Sequence, residues 1–328
     1  MKKFLITGGA GFIGSHLAEY LLAKGAGVRV VDNLSTGSAD NMRSFSGNPS
    51  FEFTIGDVVD KELMTKEMSG VDGVFHLAAS VGVKHIMENL VASIRNNVLG
   101  TEVVLETASD LGVRILLTST SEVYGKISDQ PSAESDDFRM GEPLKSRWSY
   151  ACSKALDEYM AFAYYHERNL PVTVTRLFNT VGPRQTSAYG MVIPTFVKQA
   201  VAGEPITIHG DGKQSRCFVY VKDVVWALYN LMFSDAAVGE IYNIGSTEKI
   251  TIDELADRII KITGSASIKK YFPYDHVYKV GFDDAYSRQP KIDKVQQAIG
   301  FMPRHKLDDI IKLVLENIAK PEKAVVSN

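Results

Sequence analysis

The chain has 328 residues, 45% hydrophobic and 23% charged, which excludes a disordered or collagen-like polymer and suffices for a large core or two lobes. A formal net charge of -3 with mixed signs offers neither a basic stripe for nucleic acid nor an acidic tail, so no nucleic-acid partner is expected. Two cysteines, Cys152 and Cys217, are too few for a disulfide scaffold and lack metal-ligand spacing, and the seven histidines form no HExxH pattern; reduced structural thiols and no catalytic metal are expected.

The N-terminal MKKFLITGG starts with positive charge, but its apolar run spans only Phe4 to Ile6 before glycines interrupt it, too short for a signal peptide. No uncharged segment approaches the roughly 18 residues of a membrane span, so a cytoplasmic chain without a membrane partner is expected. KFLITG, GVRVVD, FEFTIGD, DGVFHLAA, VRILLTST and PVTVTRLFN are short apolar runs bounded by turn residues, the pattern of strands buried on both faces. Between them, helical spacing of apolar residues predicts helices over Phe12 to Lys24, Lys61 to Met68, Ile86 to Leu111 and Ser149 to Arg168. Alternation of this kind predicts an α/β fold, a doubly wound parallel sheet of the Rossmann type.

After Asn179 the pattern loosens into Gly- and Pro-rich loops separated by helices predicted over Met191 to Ala202, Asp223 to Phe233, Ile252 to Thr263 and Leu307 to Ala319, which suggests a smaller C-terminal α/β lobe. The apolar strip from Cys217 to Phe233 is expected to pack back on the first domain and make the division discontinuous. The expected domains are residues 1–178 with roughly 213–245, and 179–212 with roughly 246–328. A frayed tail is expected after Pro321.

The first strand runs into TGGAGFIGSH, where Gly8, Gly11 and Gly14 form Gly-x-x-Gly-x-x-Gly at a strand-to-helix turn. Such a turn needs positive φ, close backbone approach to a pyrophosphate and a helix packed near the strand, and the helix start offers free N–H groups to the anion. Asp32, ending the second strand, is placed to accept hydrogen bonds from the adenosine ribose and to repel a 2′-phosphate, which favours NAD over NADP. Asp57 ends the third strand and reads either as an adenine contact or as a simple turn aspartate. Because ligands bind at the carboxyl ends of strands, Phe12, Ile13, Asn33, Val58, Leu77, Ala78, Ala79 and Thr118 are expected to line the same site.

The fifth strand ends in LLTSTSEVYG, and some thirty residues later SYACSKALDEY carries Tyr150 and Lys154. Four residues apart on a helix, the phenol and the ammonium share a face. The cation, together with a nicotinamide ring, is expected to lower a phenol pKa that starts near about 10, so that tyrosine acts as a base.

TGGAGFIG, Asp32, STSEVYG and Tyr150-x-x-x-Lys154, with RLFNTVGPR and GDGKQSRCFVYVKD further on, resemble the extended short-chain dehydrogenase/reductase family across essentially the whole chain. The likeness is to its NAD-dependent sugar-nucleotide epimerases, dehydratases and decarboxylases. It implies that Thr120 hydrogen-bonds the sugar 4-hydroxyl, Tyr150 removes its proton, Lys154 holds the nicotinamide ribose, and hydride leaves C4 to give a 4-keto sugar. It further implies that Asn179 meets the sugar diphosphate, that Arg216 and Arg288 clamp its phosphates with their planar forks, and that Ser121 and Arg184 join the substrate residues. Non-enzymatic dinucleotide-binding relatives commonly lose the tyrosine or the lysine, and both are present here.

Glu122 is the residue that separates the possible second steps. Typical 4-epimerases of the family carry a small hydroxyl residue there, whereas dTDP-glucose 4,6-dehydratases read Thr-Asp-Glu, and this chain has Ser121 in place of that aspartate. The run Ser-Thr-Ser-Glu-Val-Tyr-Gly is similar to UDP-glucuronate decarboxylases, as are Gly182-Pro183-Arg184 and Arg288-Gln-Pro; YACSK looks more like the epimerases. The resemblance thus implies UDP-glucuronate decarboxylation, with UDP-glucose or UDP-glucuronate 4-epimerisation as the alternative and 4,6-dehydration behind both. The helices around Ile86 to Leu111 and Ser149 to Arg168 are apolar on more than one face, which fits either the family's two-helix-per-subunit homodimer or simple burial in the core.

Overall fold

The structure, a computed structural model, describes residues 1–126, 131–188, 190–274 and 285–319. The tail after Pro321 lies outside the described residues. Strands β1 (Lys3–Thr7), β2 (Gly27–Asp32), β3 (Phe51–Ile55), β4 (Gly73–His76), β5 (Ile115–Thr120) and β6 (Val172–Leu177) form one sheet with a seventh strand, Glu240–Ile244. All neighbours are parallel, in the order Glu240–Ile244, β6, β5, β4, β1, β2, β3. This is the doubly wound α/β sheet that the alternating pattern predicts.

Helices cover both faces, which is why the strands read as unbroken apolar runs. Along β1, Phe4 and Ile6 face one core with Leu17 and Leu21 of α1 (Phe12–Ala23), while Leu5 faces another with Met64 of α2 (Lys61–Met68) and Val104 and Leu105. The expected helix Ile86 to Leu111 is two helices, α3 (Val83–Glu88) and α4 (Leu90–Leu111). Asn89 breaks them: its backbone leaves the helical region at φ -135 and ψ 47, and its side-chain amide donates back to the His85 carbonyl. Helix α5 (Ser149–Arg168) packs along α4.

The C-terminal elements are α6 (Val192–Ala202), α7 (Val221–Met232), α8 (Ile252–Thr263, started by a Thr251–Glu254 capping box) and a last helix, Leu307–Ala319. The apolar strip that follows Cys217 becomes α7, lying on α1 and against β5 and β6. Short strands complete this end: Ser215–Cys217 pairs with Lys249–Thr251 and with Ser287–Arg288, and Ile206–His209 pairs with Lys269–Phe272. Both cysteines are free, but Cys152 lies exposed on α5 rather than in the core, whereas Cys217 is buried.

A buried ion pair ties α5 to the sheet. Arg176 on β6 donates to Glu158 on α5 through Nε at 3.0 Å and Nη2 at 2.7 Å, while Ser119 of β5 also donates to that carboxylate. Both partners are under 5% exposed, so neither charge can fall back on water. Arg176→Met strands the Glu158 carboxylate and is expected to destabilise the fold by about 3 to 5 kcal/mol in denaturant unfolding; a loss under about 1 kcal/mol would show that the pair does not anchor α5.

Candidate active site

The carboxyl ends of the strands and the C-terminal segments enclose a cleft with a cavity volume of about 660 Å³, and every site residue singled out in the sequence lines it. At one end lies the glycine turn. Gly8 adopts φ 73, and a Cβ there would sit 2.7 Å from the Ala78 nitrogen; a Cβ on Gly14 would sit 2.3 Å from the Gly8 carbonyl oxygen. Only glycine permits this packing. Helix α1 starts after Gly11 without a side-chain cap, so no side chain occupies its first N–H groups, and Phe12, Ile13 and Gly14 border the cleft.

Asp32 accepts from the N–H groups of Ala10 at 2.9 Å and Leu34 at 2.8 Å, so it pins the glycine turn as well as bordering the cleft. Burial raises its pKa, and these amides pull it part of the way back. Asp57 accepts from Val59 N–H at 3.2 Å and from the Asn33 amide at 3.0 Å, and this turn-holding aspartate also borders the cleft beside Val58. Leu77, Ala78, Ala79 and Thr118 follow or end the neighbouring strands β4 and β5. The tight glycine cradle, open amides and buried acid fit a dinucleotide.

At the middle of the cleft, Thr120 ends β5, Ser121 and Glu122 open a short 3-10 helix, and Tyr150 and Lys154 lie in the first turns of α5. The sequence leads one to expect a tyrosine pKa lowered by Lys154 together with a nicotinamide ring; the protein's own groups raise it. Burial is the main cause, reinforced by the negative charges of Glu122 and Asp157 and opposed by Arg147 and a hydrogen bond with Thr120. Lys154 does not act on the phenol alone, because its ammonium donates to Asp157 Oδ2 at 2.7 Å.

Glu122 is gripped by two guanidinium groups. Arg147 binds both its oxygens, with Nη2 to Oε1 at 2.7 Å, and Arg288 Nη1 reaches Oε1 at 3.1 Å. Burial alone would raise the Glu122 pKa, but the two arginines outweigh it and pull it down to about 2. Expected from the sequence to be a catalytic group, Glu122 is held as a carboxylate and has no proton to donate near neutral pH. Arg147 is the partner that sequence reasoning missed; its only signal is a basic residue three positions before Tyr150.

The substrate candidates divide. Arg216 and Arg288 lie directly opposite each other on adjacent parallel strands, so pairing brings together two residues far apart in the chain. Arg288 meets Glu122, and Arg216 also donates to the Ser215 carbonyl at 2.8 Å. Arg184 lies elsewhere in the cleft: with φ 68 it turns onto α1, where it pairs with Glu19 at 2.9 Å. The Asn179 amide donates to the Cys217 carbonyl at 3.0 Å, joining the strand ends below the cleft. Among the described residues no cluster of histidine, cysteine or acidic side chains is built to hold a metal ion.

A doubly wound sheet with a glycine cradle at one end of its cleft and a tyrosine–lysine pair at the middle defines a dinucleotide-dependent enzyme of the short-chain dehydrogenase/reductase class. The chain belongs to the GDP-mannose 4,6 dehydratase family, whose model matches residues 5–314. It is 40% identical to the UDP-N-acetyl-alpha-D-glucosaminuronate decarboxylase of Bacillus cytotoxicus over 96% of this chain and 97% of that protein. Against UDP-glucuronic acid decarboxylase 4 of Arabidopsis thaliana the identity is 37%, over 96% of this chain and 68% of the relative. Among solved structures, the UDP-glucuronic acid 4-epimerase of Bacillus cereus, in complex with UDP-glucuronic acid and NAD, superposes with a TM-score of 0.87 at 27% identity, covering 96% of this chain and 98% of that one.

The glycine cradle yields a direct test. Gly14→Ala drives a Cβ into the Gly8 carbonyl, and NAD affinity measured by calorimetry is expected to fall by more than about tenfold, a cost above about 1.4 kcal/mol. Unchanged affinity would remove this turn from the nucleotide site.

Proposed function

We propose that the chain is an NAD-dependent enzyme that decarboxylates a UDP-linked hexuronate, UDP-glucuronate first, through a transient 4-keto sugar. The observation that carries this reading is the Glu122 carboxylate fixed between Arg147 and Arg288 beside Tyr150. Loss of a 6-hydroxyl as water would need a proton donor at the leaving oxygen. Among the described residues the carboxylates lining the cleft are Asp32, Asp57 and Glu122; the first two lie at the nucleotide end, and the third is held ionised. A 4-keto uronate needs no such acid. Its C5–carboxylate bond breaks with the electron pair drawn into the C4 ketone, carbon dioxide leaves, and the enolate so formed takes a proton from water at C5.

NAD held along the glycine cradle would supply reversible hydride acceptance at the sugar C4. Thr120 and Tyr150 are placed to hold the C4 oxygen, with Tyr150 accepting the hydroxyl proton and Lys154 securing the cofactor ribose. In this reading Arg216 and Arg288, adjacent across two strands of the cleft, hold the diphosphate, and Ser121 and Asn179 meet the sugar diphosphate side of the substrate, a role supported by their lining the same cleft. In this reading residues 1–178 with roughly 213–245 carry the cofactor, and 179–212 with roughly 246–328 close over the sugar nucleotide. The second reading is 4-epimerisation of the same uronate, favoured by the likeness to the Bacillus cereus epimerase and by the YACSK run.

The test is incubation with UDP-glucuronate, UDP-N-acetylglucosaminuronate, UDP-glucose, dTDP-glucose and GDP-mannose, followed by mass spectrometry and sugar NMR. A uronate is expected to lose the mass of carbon dioxide. A uronate returned with its carboxylate and a changed C4 configuration selects the epimerase, and loss of water from a neutral sugar selects a dehydratase.

We also infer a cytoplasmic homodimer joined through α4 and α5. Val91 and Ile94 on α4 and Leu156 and Tyr159 on α5 expose apolar side chains at helical spacing, and two copies of the helix pair would cover them. Light scattering is expected to give twice the chain mass, and Leu156→Arg with Tyr159→Glu to give the single mass; a monomeric unaltered protein at working concentration ends this inference.

A further inference from the structure

Beneath the Tyr150–Lys154 pair lies a chain of polar groups that does not line the cleft. Thr7 ends β1, His76 ends β4, Thr101 lies in α4 and Asp157 in α5, and none is more than 1% exposed. The Ala78 N–H donates to Thr7 Oγ1 at 3.3 Å, Thr7 Oγ1 lies 2.7 Å from His76 Nδ1, and His76 Nε2 lies 3.1 Å from Thr101 Oγ1. The Thr101 hydroxyl sits against Asp157, and Asp157 Oδ2 receives the Lys154 ammonium at 2.7 Å.

Thr7 Oγ1 accepts from the Ala78 N–H, a neutral His76 imidazole donates from one ring nitrogen and accepts at the other, and the Thr101 hydroxyl stands between that ring and Asp157. Burial and the Lys154 charge push the His76 pKa down to about 3, which keeps the ring neutral. The polar path thus links the backbone beside the glycine cradle to the carboxylate under Lys154.

We propose that Asp157 is a positioning residue for the reacting pair, anchoring the Lys154 ammonium from below and setting, through that charge, how readily Tyr150 gives up its proton. Asp157, held on the Lys154 ammonium at 2.7 Å, offsets part of the positive charge that the phenol would otherwise feel and adds its own negative charge toward Tyr150. The other charged groups facing Tyr150 are Glu122 and Arg147, which are committed to each other, while Glu158, beside Asp157, is committed to Arg176. Asp157 is therefore the negative charge whose removal leaves those other pairs intact.

The inference rests on the catalytic assignment of Tyr150 and Lys154, and it is tested without substrate. In the NAD-loaded protein, phenolate absorbance is followed against pH, and the Tyr150 signal is identified by its loss in Tyr150→Phe. Asp157→Asn keeps the side-chain shape and an oxygen for the ammonium but removes the charge, so the Tyr150 midpoint is expected to fall by about one pH unit or more. Asp157→Glu is expected to return it toward the unaltered value, a rescue that a merely structural role would not produce. If the asparagine protein does not accumulate, Asp157→Ser leaves room for a water beside Lys154 and reads the same loss of charge. An unchanged or higher midpoint in the asparagine or serine protein overturns the proposal. A lowered midpoint in a protein that turns over no sugar nucleotide would discard the proposed reaction and keep the anchor.

Discussion

The parallel alignment of seven strands is the constraint from which the site follows. Parallel strands deliver all their carboxyl ends to one edge, and covering both faces with helices leaves that edge as the place where the chain can open to a ligand. The residue that follows each of β1 to β6 (Gly8, Asn33, Gly56, Leu77, Ser121 and Phe178) lines the cleft. The site is therefore built from chain segments that are distant in sequence but adjacent in strand order. The glycine turn completes one end, because the short distance between α1 and β1 exists only where no side chain intervenes.

Charge placement rather than charge content gives the cleft its chemical character. The carboxylate Glu122 and the ammonium Lys154 are each neutralised by partners on other segments or in the next helical turn: Arg147 and Arg288 for the first, Asp157 for the second. These pairings decide which groups can exchange protons. Glu122 is kept ionised by its arginines, while Tyr150, partly buried and facing two carboxylates, is kept protonated in the absence of a compensating positive charge. A site of this kind suits chemistry driven by redox at a carbinol and by an electron-accepting ketone, more than chemistry that needs a second strong acid.

Much of the fold was legible because its signals are local and repeated. Six strands and most helices announce themselves through burial pattern, and α2, α5, α8 and the last helix begin and end where the apolar spacing predicts. The seventh strand escaped notice because Glu240–Ile244 begins exposed and carries the polar Asn243, so it does not read as an apolar run, and pairing with β6 makes it a strand. The break at Asn89 was hidden because apolar spacing continues across it, while the interruption is made by one side-chain amide turning back on the chain.

What the sequence determined by itself was the class: a glycine turn after a first strand, an acid ending the second, and a tyrosine and lysine one helical turn apart each carry their meaning within a few residues. Tertiary structure alone decided what those residues can do. Arg147 and Arg288, 141 positions apart, meet on Glu122, Asp157 rather than the phenol takes the first hold on Lys154, and Arg184 turns to α1 while Arg216 stands beside Arg288. The reason is physical: a pKa or a charge pairing depends on burial and on what lies within a few ångström, and neither is encoded at any fixed spacing along the chain.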